Sequence, residues 1–159
     1  MKKLFFITTL LVATFVQKGI SQNSTQYPLT QLLAQYYGIK DALVIGNSNQ
    51  ASMKAEEFIK TANSIDYKQI SEGNINALLK DATPISETKD IKTQREHFAN
   101  LSNNMKALGK TVKFSSPPVY QLYCPMKKAN WLSDNKEIKN PYFGSSMLTG
   151  GKVVATINK

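Results

Sequence analysis

The chain of 159 residues carries 20 Lys and Arg residues against 11 Asp and Glu residues, a formal net charge of +9, and 42% of its residues are hydrophobic. This length is typical of one domain, and the apolar fraction is sufficient for a hydrophobic core, which excludes an intrinsically disordered chain. Arg95 is the only arginine. Because proteins that read nucleic-acid bases depend on arginine, we expect no nucleic-acid partner.

The first 21 residues have the pattern of a signal peptide. Lys2 and Lys3 precede an apolar run over 4–16, which has the length of a signal-peptide core and is too short to span a bilayer. Gly19 and Ser21 are small residues at the spacing that signal peptidase recognises, which predicts cleavage after Ser21. We therefore expect an exported protein, periplasmic or secreted, with no transmembrane segment after signal removal.

The exported part is predicted to be a flexible tail over 22–28 and a single helical domain with a C-terminal motif segment over 29–159. Its charge is unevenly distributed along the chain. Residues 22–104 hold eight basic and nine acidic side chains, whereas residues 105–159 hold nine lysines and two acidic side chains. The lysines form either a solvated surface or a docking surface for an acidic partner or an anionic membrane.

Two amphipathic helices are predicted in the first part of this domain. Apolar residues at three- and four-residue spacing indicate a helix over about 29–45, with Gly46 at its end. Ser48 is a suitable N-cap for a second helix, whose apolar stripe runs from Ala51 to Ile65.

A short third helix is predicted over 74–81, because Pro84 disfavours helical conformation in the residue before it. A fourth helix begins near Ser86, which could cap it, and Gly109 ends it. The short connections favour a mainly α fold, an antiparallel bundle of three to four helices, with a C-terminal irregular segment flanked by two short β-strands.

From Lys110 onward the helical periodicity is lost. The β-branched and aromatic residues of 119–123 and 153–157 are typical of strands, which could pair with each other. Prolines and glycines typical of turns lie between them, together with the large apolar residues Trp131, Tyr142, Phe143 and Met147. An irregular segment this rich in apolar residues is expected to dock on the helical bundle.

Several motifs occur in order along this C-terminal segment. They are Tyr-Cys-Pro-Met at 123–126, Trp-Leu-Ser at 131–133, Ile-Lys-Asn-Pro-Tyr-Phe-Gly at 138–144 and Met-Leu-Thr-Gly-Gly at 147–151, joined upstream by 36–44, 94–98 and 101–102. Together they resemble domain-of-unknown-function family 3347, an exported bacterial family, over about 29–157.

That family has no established activity. Its members stand alone or form the C-terminal end of periplasmic adaptor subunits of heavy-metal efflux pumps. The resemblance therefore implies a role in handling copper or related ions, with an efflux-pump component or another periplasmic protein as the partner. The family has a cysteine at the position of Gly150, which implies that this chain has lost one of two thiols.

Four side chains could form a site for a soft metal ion. Cys124 and Met126 are two residues apart, Met147 lies in the same segment, and His97 lies on the fourth predicted helix. Thiolate, thioether and imidazole suit Cu(I), whereas the sequence has no calcium loop and too few Cys and His residues for structural zinc. The same residues also have structural explanations, since Met fills cores, Cys behaves as a small apolar residue and His occurs on helix surfaces.

Catalysis is not expected from this sequence. Cys124 and His97 could act as a thiolate and its base, but no glycine-rich oxyanion loop or third orienting group is evident, and Pro125 removes a backbone donor beside the thiol. Phosphate-loop, dinucleotide-binding and paired-histidine protease motifs are also missing from the sequence.

Two functions remain open. The first is an exported non-catalytic domain that binds or senses a soft metal such as Cu(I) as an accessory to heavy-metal efflux, with Cys124, Met126, Met147 and His97 as ligands. The second is a metal-independent protein-interaction module that uses the basic, aromatic C-terminal segment, namely Trp131, Tyr142 and Phe143 beside Lys127, Lys128, Lys136 and Lys139.

Sulfur atoms that converge on an exposed point would favour the first function, and sulfur atoms in the core would favour the second. A buried Trp131 would assign the aromatic residues to the core.

Overall fold

A computed structural model describes residues 26–157. The predicted signal peptide and its cleavage after Ser21 lie outside these residues. The helices are α1 (Gln26–Ile45), α2 (Ser48–Asn63), α3 (Glu72–Glu87) and α4 (Ile91–Leu108), and the strands are β1 (Val119–Cys124), β2 (Ala129–Ser133) and β3 (Lys152–Ile157), with a short 3-10 helix at Gly144–Met147. The predicted mainly α fold is confirmed. Among the described residues, none of the helices combines the length and the apolar character needed to cross a bilayer.

The four helices pack in chain order, α1 on α2, α2 on α3 and α3 on α4. Because only two to eight residues connect them, consecutive helices must run in opposite directions. Their apolar stripes meet in one core that includes Leu32, Phe58, Leu78 and Phe98, all nearly inaccessible to solvent. Helix α1 begins three residues earlier than the sequence predicted. Its proline, Pro28, lies in the first turn, where a missing N–H breaks no helical hydrogen bond.

The predicted end of the third helix before Pro84 is wrong, because α3 continues to Glu87. The residues after Pro84 are held by side chains of the neighbouring helices. The hydroxyl of Ser52 in α2 lies 3.2 Å from the carbonyl oxygen of Ile85, and the side-chain amide of Gln94 in α4 donates to the same oxygen at 3.1 Å. These contacts between helices outweigh the local effect of the proline.

Two predicted helix caps are also wrong. Asp90, not Ser86, caps α4, since its carboxylate accepts hydrogen bonds from the backbone N–H groups of Lys92 and Thr93. Asn47, one residue before Ser48, caps α2 through a hydrogen bond from the N–H of Gln50. Asp and Asn are among the strongest N-cap residues. The predicted end of α4 at Gly109 is confirmed.

The three strands form an antiparallel sheet in the order β2-β1-β3. The predicted strands 119–123 and 153–157 are confirmed, and they pair with each other. The strand β2 was not predicted. It follows β1 after a four-residue turn over 125–128 and places Trp131 opposite Leu122.

Two tyrosine hydroxyls fix the sheet to the rest of the fold along the outer edge of β2. The backbone N–H of Leu132 donates to the hydroxyl oxygen of Tyr36 in α1 at 3.0 Å, and the same oxygen lies 2.7 Å from the hydroxyl of Ser102 in α4. The hydroxyl of Tyr142 donates to the carbonyl oxygen of Asn130. Burial raises the pKa of Tyr36 well above its usual range, so this hydroxyl stays neutral and can donate a proton as well as accept one.

We expect Tyr36→Phe to lower the free energy of unfolding by about 2 kcal/mol, because the buried N–H of Leu132 and the hydroxyl of Ser102 both lose a partner. Urea denaturation measures this change. Tyr67→Phe is the control, since Tyr67 is exposed, and it should change stability by less than about 0.5 kcal/mol. Equal effects in the two variants would show that the Tyr36 hydroxyl contributes nothing to docking the sheet.

Candidate functional site

The structure distributes the four predicted metal ligands over separate environments. Cys124 has no exposed surface, whereas Met126, two residues later, is 69% exposed at the turn between β1 and β2. Met147 is half-buried in the 3-10 helix, and His97 is half-buried on α4. The side chains of Cys124 and Met126 diverge because the strand ends with Cys124 facing the core and the chain then turns at Pro125. The sulfur atoms of Cys124 and Met126 therefore do not converge on an exposed point.

A polar groove between α3 and α4 is lined by Asp81 and Asn104, and His97 lies on α4. Its charge acts on Asp81, whose carboxylate also accepts a hydrogen bond from the side-chain amide of Asn104 at 2.7 Å. Burial raises the pKa of Asp81, and the hydrogen bond from Asn104 and the charge of His97 partly offset this effect. No hydrogen bond or ion pair joins His97 to Cys124 within residues 26–157. The thiol and the imidazole are therefore not hydrogen-bonded to each other in this structure.

Asn140 is the centre of the contacts around Cys124. Its side-chain amide nitrogen donates to the sulfur of Cys124 at 3.2 Å and to the carbonyl oxygen of Gly150 at 2.5 Å. Its side-chain oxygen accepts from the backbone N–H of Tyr142 at 2.9 Å. Its backbone N–H donates to Leu148 at 2.8 Å, and its carbonyl oxygen accepts from Gly144 at 3.0 Å. The buried side chain of Asn140 therefore joins the middle of the irregular segment and its C-terminal end at Gly150 to Cys124 of β1.

No specific pattern in the sequence indicates this role of Asn140. The residue precedes Pro141, and an Asn-Pro pair is ordinarily evidence for an exposed turn. In the structure Asn140 has no exposed surface. Its position among aromatic residues could have indicated a buried role. A polar side chain in an apolar segment must find hydrogen-bond partners when the segment is buried.

Met147 packs directly against Gly150. A β-carbon placed on Gly150 would lie 2.5 Å from the sulfur of Met147, so this thioether occupies the space that a side chain at position 150 would need. Gly150 is also linked to Cys124 through the amide of Asn140. Position 150 and Cys124 are therefore neighbours in the fold, although 26 positions separate them in the sequence.

The arrangement offers two soft donors, a buried thiol and a half-buried thioether, around Gly150. Such a pair matches the ligand preferences of Cu(I). Within the described part of the chain, no group of three or more His, Cys, Asp and Glu residues is placed to hold a metal ion. Cys124 and Met147 both border Gly150, whereas Met126 is exposed at the hairpin turn and His97 lies on α4. The four-ligand metal site stays a prediction.

The predicted aromatic docking surface is wrong for its two largest residues. Trp131 is only 1% exposed, and Tyr142 is also buried. Their rings meet edge to face at 6.1 Å, and Tyr142 also packs against Phe98 of α4 at 6.1 Å. Phe143 is half-buried against the same core. The expectation that these aromatic residues dock the C-terminal segment on the bundle is confirmed.

The lysines of the C-terminal region, in contrast, lie on the surface. Lys139 pairs with Glu137 at 2.9 Å, and the ammonium group of Lys136 lies 5.5 Å from the centre of the Tyr120 ring. Among residues 26–157, no ion pair is made by the other lysines around the sheet, which are Lys106, Lys110, Lys127, Lys128 and Lys152. These five lysines therefore carry positive charge that no ion pair with a described acidic residue neutralises.

The sequence model of the family described as "Protein of unknown function (DUF3347)" matches residues 32–116. The chain belongs to this family. The DUF3347 match covers the helical bundle and the loop that follows α4. The motifs between 123 and 151 lie beyond the matched residues, so their resemblance to DUF3347 stays a prediction. No curated protein and no solved structure matches the chain.

Proposed function

We propose that this chain is an exported, non-catalytic domain that binds another protein and does so without a metal ion. One observation supports it above all. Cys124, Trp131 and Tyr142 of the C-terminal segment are buried in internal contacts. In contrast, five lysines around the sheet have no ion-pair partner among the described residues. A surface with this charge steers and selects partners of opposite charge.

The placement of the candidate reactive groups agrees with this proposal. Cys124 is enclosed and hydrogen-bonded by Asn140, and no hydrogen bond joins it to His97 among residues 26–157. A nucleophile needs a base within hydrogen-bond reach and access to substrate. The family resemblance suggests a component of a metal-efflux pump as the protein partner, and the positive surface favours an acidic region of it.

Site-specific photo-crosslinking in cells that produce the protein tests this function. We expect a photoreactive residue at Val154, beside the lysines, to give a discrete adduct that persists when a copper chelator is added. Met53 on α2 is the matched control position, because it is also an exposed apolar residue. Adducts of equal yield from both positions, or adducts that vanish with the chelator, would contradict a metal-independent binding surface.

A second candidate function is the binding of Cu(I) by Cys124 and Met147. One observation favours it: both residues border Gly150, Met147 by direct contact and Cys124 through the amide of Asn140. A thiolate and a thioether are sufficient for a low-coordinate Cu(I) ion. The bound ion would have to replace the hydrogen bond between Asn140 and the sulfur of Cys124.

Anaerobic titration of the purified protein with Cu(I), in competition with a chromophoric chelator, separates the two candidates. We expect no one-to-one binding by the natural chain and one-to-one binding by Gly150→Cys, because the new thiol would lie beside Cys124 once the side chain of Met147 moves aside. Binding by the natural chain that is lost in Cys124→Ser and in Met147→Leu, but kept in the control Met126→Leu, would establish the second candidate instead.

A further inference from the structure

The two outer edges of the sheet differ in how they are covered. Along β2, the hydroxyl of Tyr36 accepts from the N–H of Leu132 and the hydroxyl of Tyr142 donates to the carbonyl oxygen of Asn130. These are the backbone groups that β2 directs away from β1. The edge of β2 is therefore closed by the protein itself, as buried strand edges must be.

The edge formed by β3 has no such cover within the described residues. The strand pairs on one side with β1 and is last in the sheet order. Residues 152–156 are all exposed, with Val153 at 37% and Val154 at 43%. An exposed edge strand with aliphatic side chains offers a row of backbone donors and acceptors to another extended chain.

The charge beside this edge is positive. Lys152 begins β3, and a groove of about 330 Å³ lies between the end of α4 and the sheet, lined by Lys106 and Lys110 as well as by Gln121 and Ala155. Gln121 and Ala155 are register partners, so their side chains project from the same face of the sheet. In a strand added beside β3, every second side chain would lie on this face of the sheet, and those near Ala155 would approach Lys106 and Lys110.

We propose that β3 binds an extended, acidic segment of a partner protein, which adds to the sheet as a fourth strand. The inference rests on the proposed protein-binding function and names the partner's chemistry. Aliphatic side chains of the segment would cover Val153 and Val154, and its carboxylates would lie near Lys106, Lys110 and Lys152. Backbone hydrogen bonds supply affinity in this type of recognition, and the alternating side chains supply specificity.

A second copy of this chain is a poorer occupant of the edge. In an antiparallel pair of β3 strands, the first residue of one strand lies opposite the end of the other. Lys152 of one copy would then approach Lys106 and Lys110 of the other, and juxtaposed like charges oppose association.

The probe for this proposal is an eight-residue peptide of alternating valine and glutamate, added to the purified protein and followed by amide NMR. We expect chemical-shift changes to concentrate at the backbone amides of 152–157. An analogue with lysine in place of glutamate, and one with N-methyl groups on alternate peptide bonds, should each bind about tenfold more weakly or less, because they lose the charge attraction or the backbone hydrogen bonds.

Charge reversal in the protein provides the matched test. The double variant Lys110→Glu with Lys152→Glu should weaken peptide binding about tenfold or more, since two attractive charges become repulsive. Lys60→Glu with Lys68→Glu makes the same total change of charge at two exposed positions in and after α2 and should leave binding within about twofold. Equal weakening by this control pair would overturn the proposal in favour of non-specific attraction between net charges.

Other outcomes would also overturn the proposal. These are no binding of the peptide, shifts centred on the groove between α3 and α4, concentration-dependent dimers that protect β3, and outward amides of β3 that already resist hydrogen exchange in the free protein. The last result would mean that residues of this chain outside 26–157 cover the edge. If Val154 gives crosslinks but the peptide does not bind, the proposed protein-binding function is retained. Only the proposal that an acidic segment adds to β3 is then rejected.

Discussion

Asn140→Ala is expected to lower the free energy of unfolding by about 3 kcal/mol, because three groups at the centre of the C-terminal segment lose a hydrogen-bond partner at once. These are the sulfur of Cys124, the carbonyl oxygen of Gly150 and the backbone N–H of Tyr142. A buried polar group without a partner costs more than an ordinary hydrogen bond contributes. The same truncation also leaves a cavity where the amide was packed.

Urea denaturation followed by tryptophan fluorescence measures this effect, since Trp131 is the only tryptophan and lies beside Tyr142. Asn135→Ala is the matched control, because Asn135 belongs to the same segment but is exposed and bonds only to its near neighbours in sequence. We expect it to change stability by less than about 0.5 kcal/mol. A loss of under 1 kcal/mol in Asn140→Ala would show that water replaces the amide and that the segment does not depend on Asn140.

The helices could be predicted from the sequence because their signal is local. The apolar stripes of α1, α2 and α4 repeat at helical spacing over many residues, and Gly109 ends α4 as expected. The errors occur where tertiary contacts outweigh local preference. Pro84 predicts a helix end, but Ser52 and Gln94 from neighbouring helices stabilise the turn that follows it. No local pattern contains that information.

The strand β2 had a usable signal that was not recognised. The turn residues of 125–128, beginning with Pro125, separate two short apolar runs, and this spacing is typical of a hairpin with a longer loop. The buried Trp131 lies on the second run. Because the whole stretch was predicted to be irregular, β2 was not predicted. The difference between the closed edge at β2 and the exposed edge at β3 could not be predicted either.

The candidate site could be predicted only in its residue types. Cys124, Met126, Met147 and His97 are all soft or borderline donors, but their directions depend on the end of β1, the hairpin turn and the packing of α4 against α3. The turn exposes Met126 while the strand buries Cys124. Asn140 brings Gly150 next to Cys124 across the irregular segment. Such convergence depends on the whole fold, which spacing along the chain does not describe.

Gly144→Ala is expected to lower the free energy of unfolding by about 3 kcal/mol for two reasons. Alanine is strained in the left-handed backbone conformation of this residue, and its β-carbon would clash with neighbouring atoms. Gly144 has φ of 57°, and a β-carbon there would lie 2.6 Å from the guanidinium of Arg95 and 2.9 Å from the carbonyl oxygen of Val44. Arg95 donates from that guanidinium to the carbonyl oxygen of Leu43 at 3.0 Å. The added methyl group would push the guanidinium away, so the carbonyl oxygen of Leu43 at the end of α1 would lose one of its two donors and keep only the N–H of Gly46.

Gly46→Ala separates these two contributions. Gly46 also has a positive φ, 75°, but a β-carbon there would meet nothing within 4 Å. We therefore expect a loss of about 1 kcal/mol, the conformational part alone. Chemical denaturation of both variants gives the difference of about 2 kcal/mol that is due to the contact with Arg95 and Val44. Equal losses would mean that the 3-10 helix shifts without cost, and that Arg95 does not join the end of α1 to the C-terminal segment.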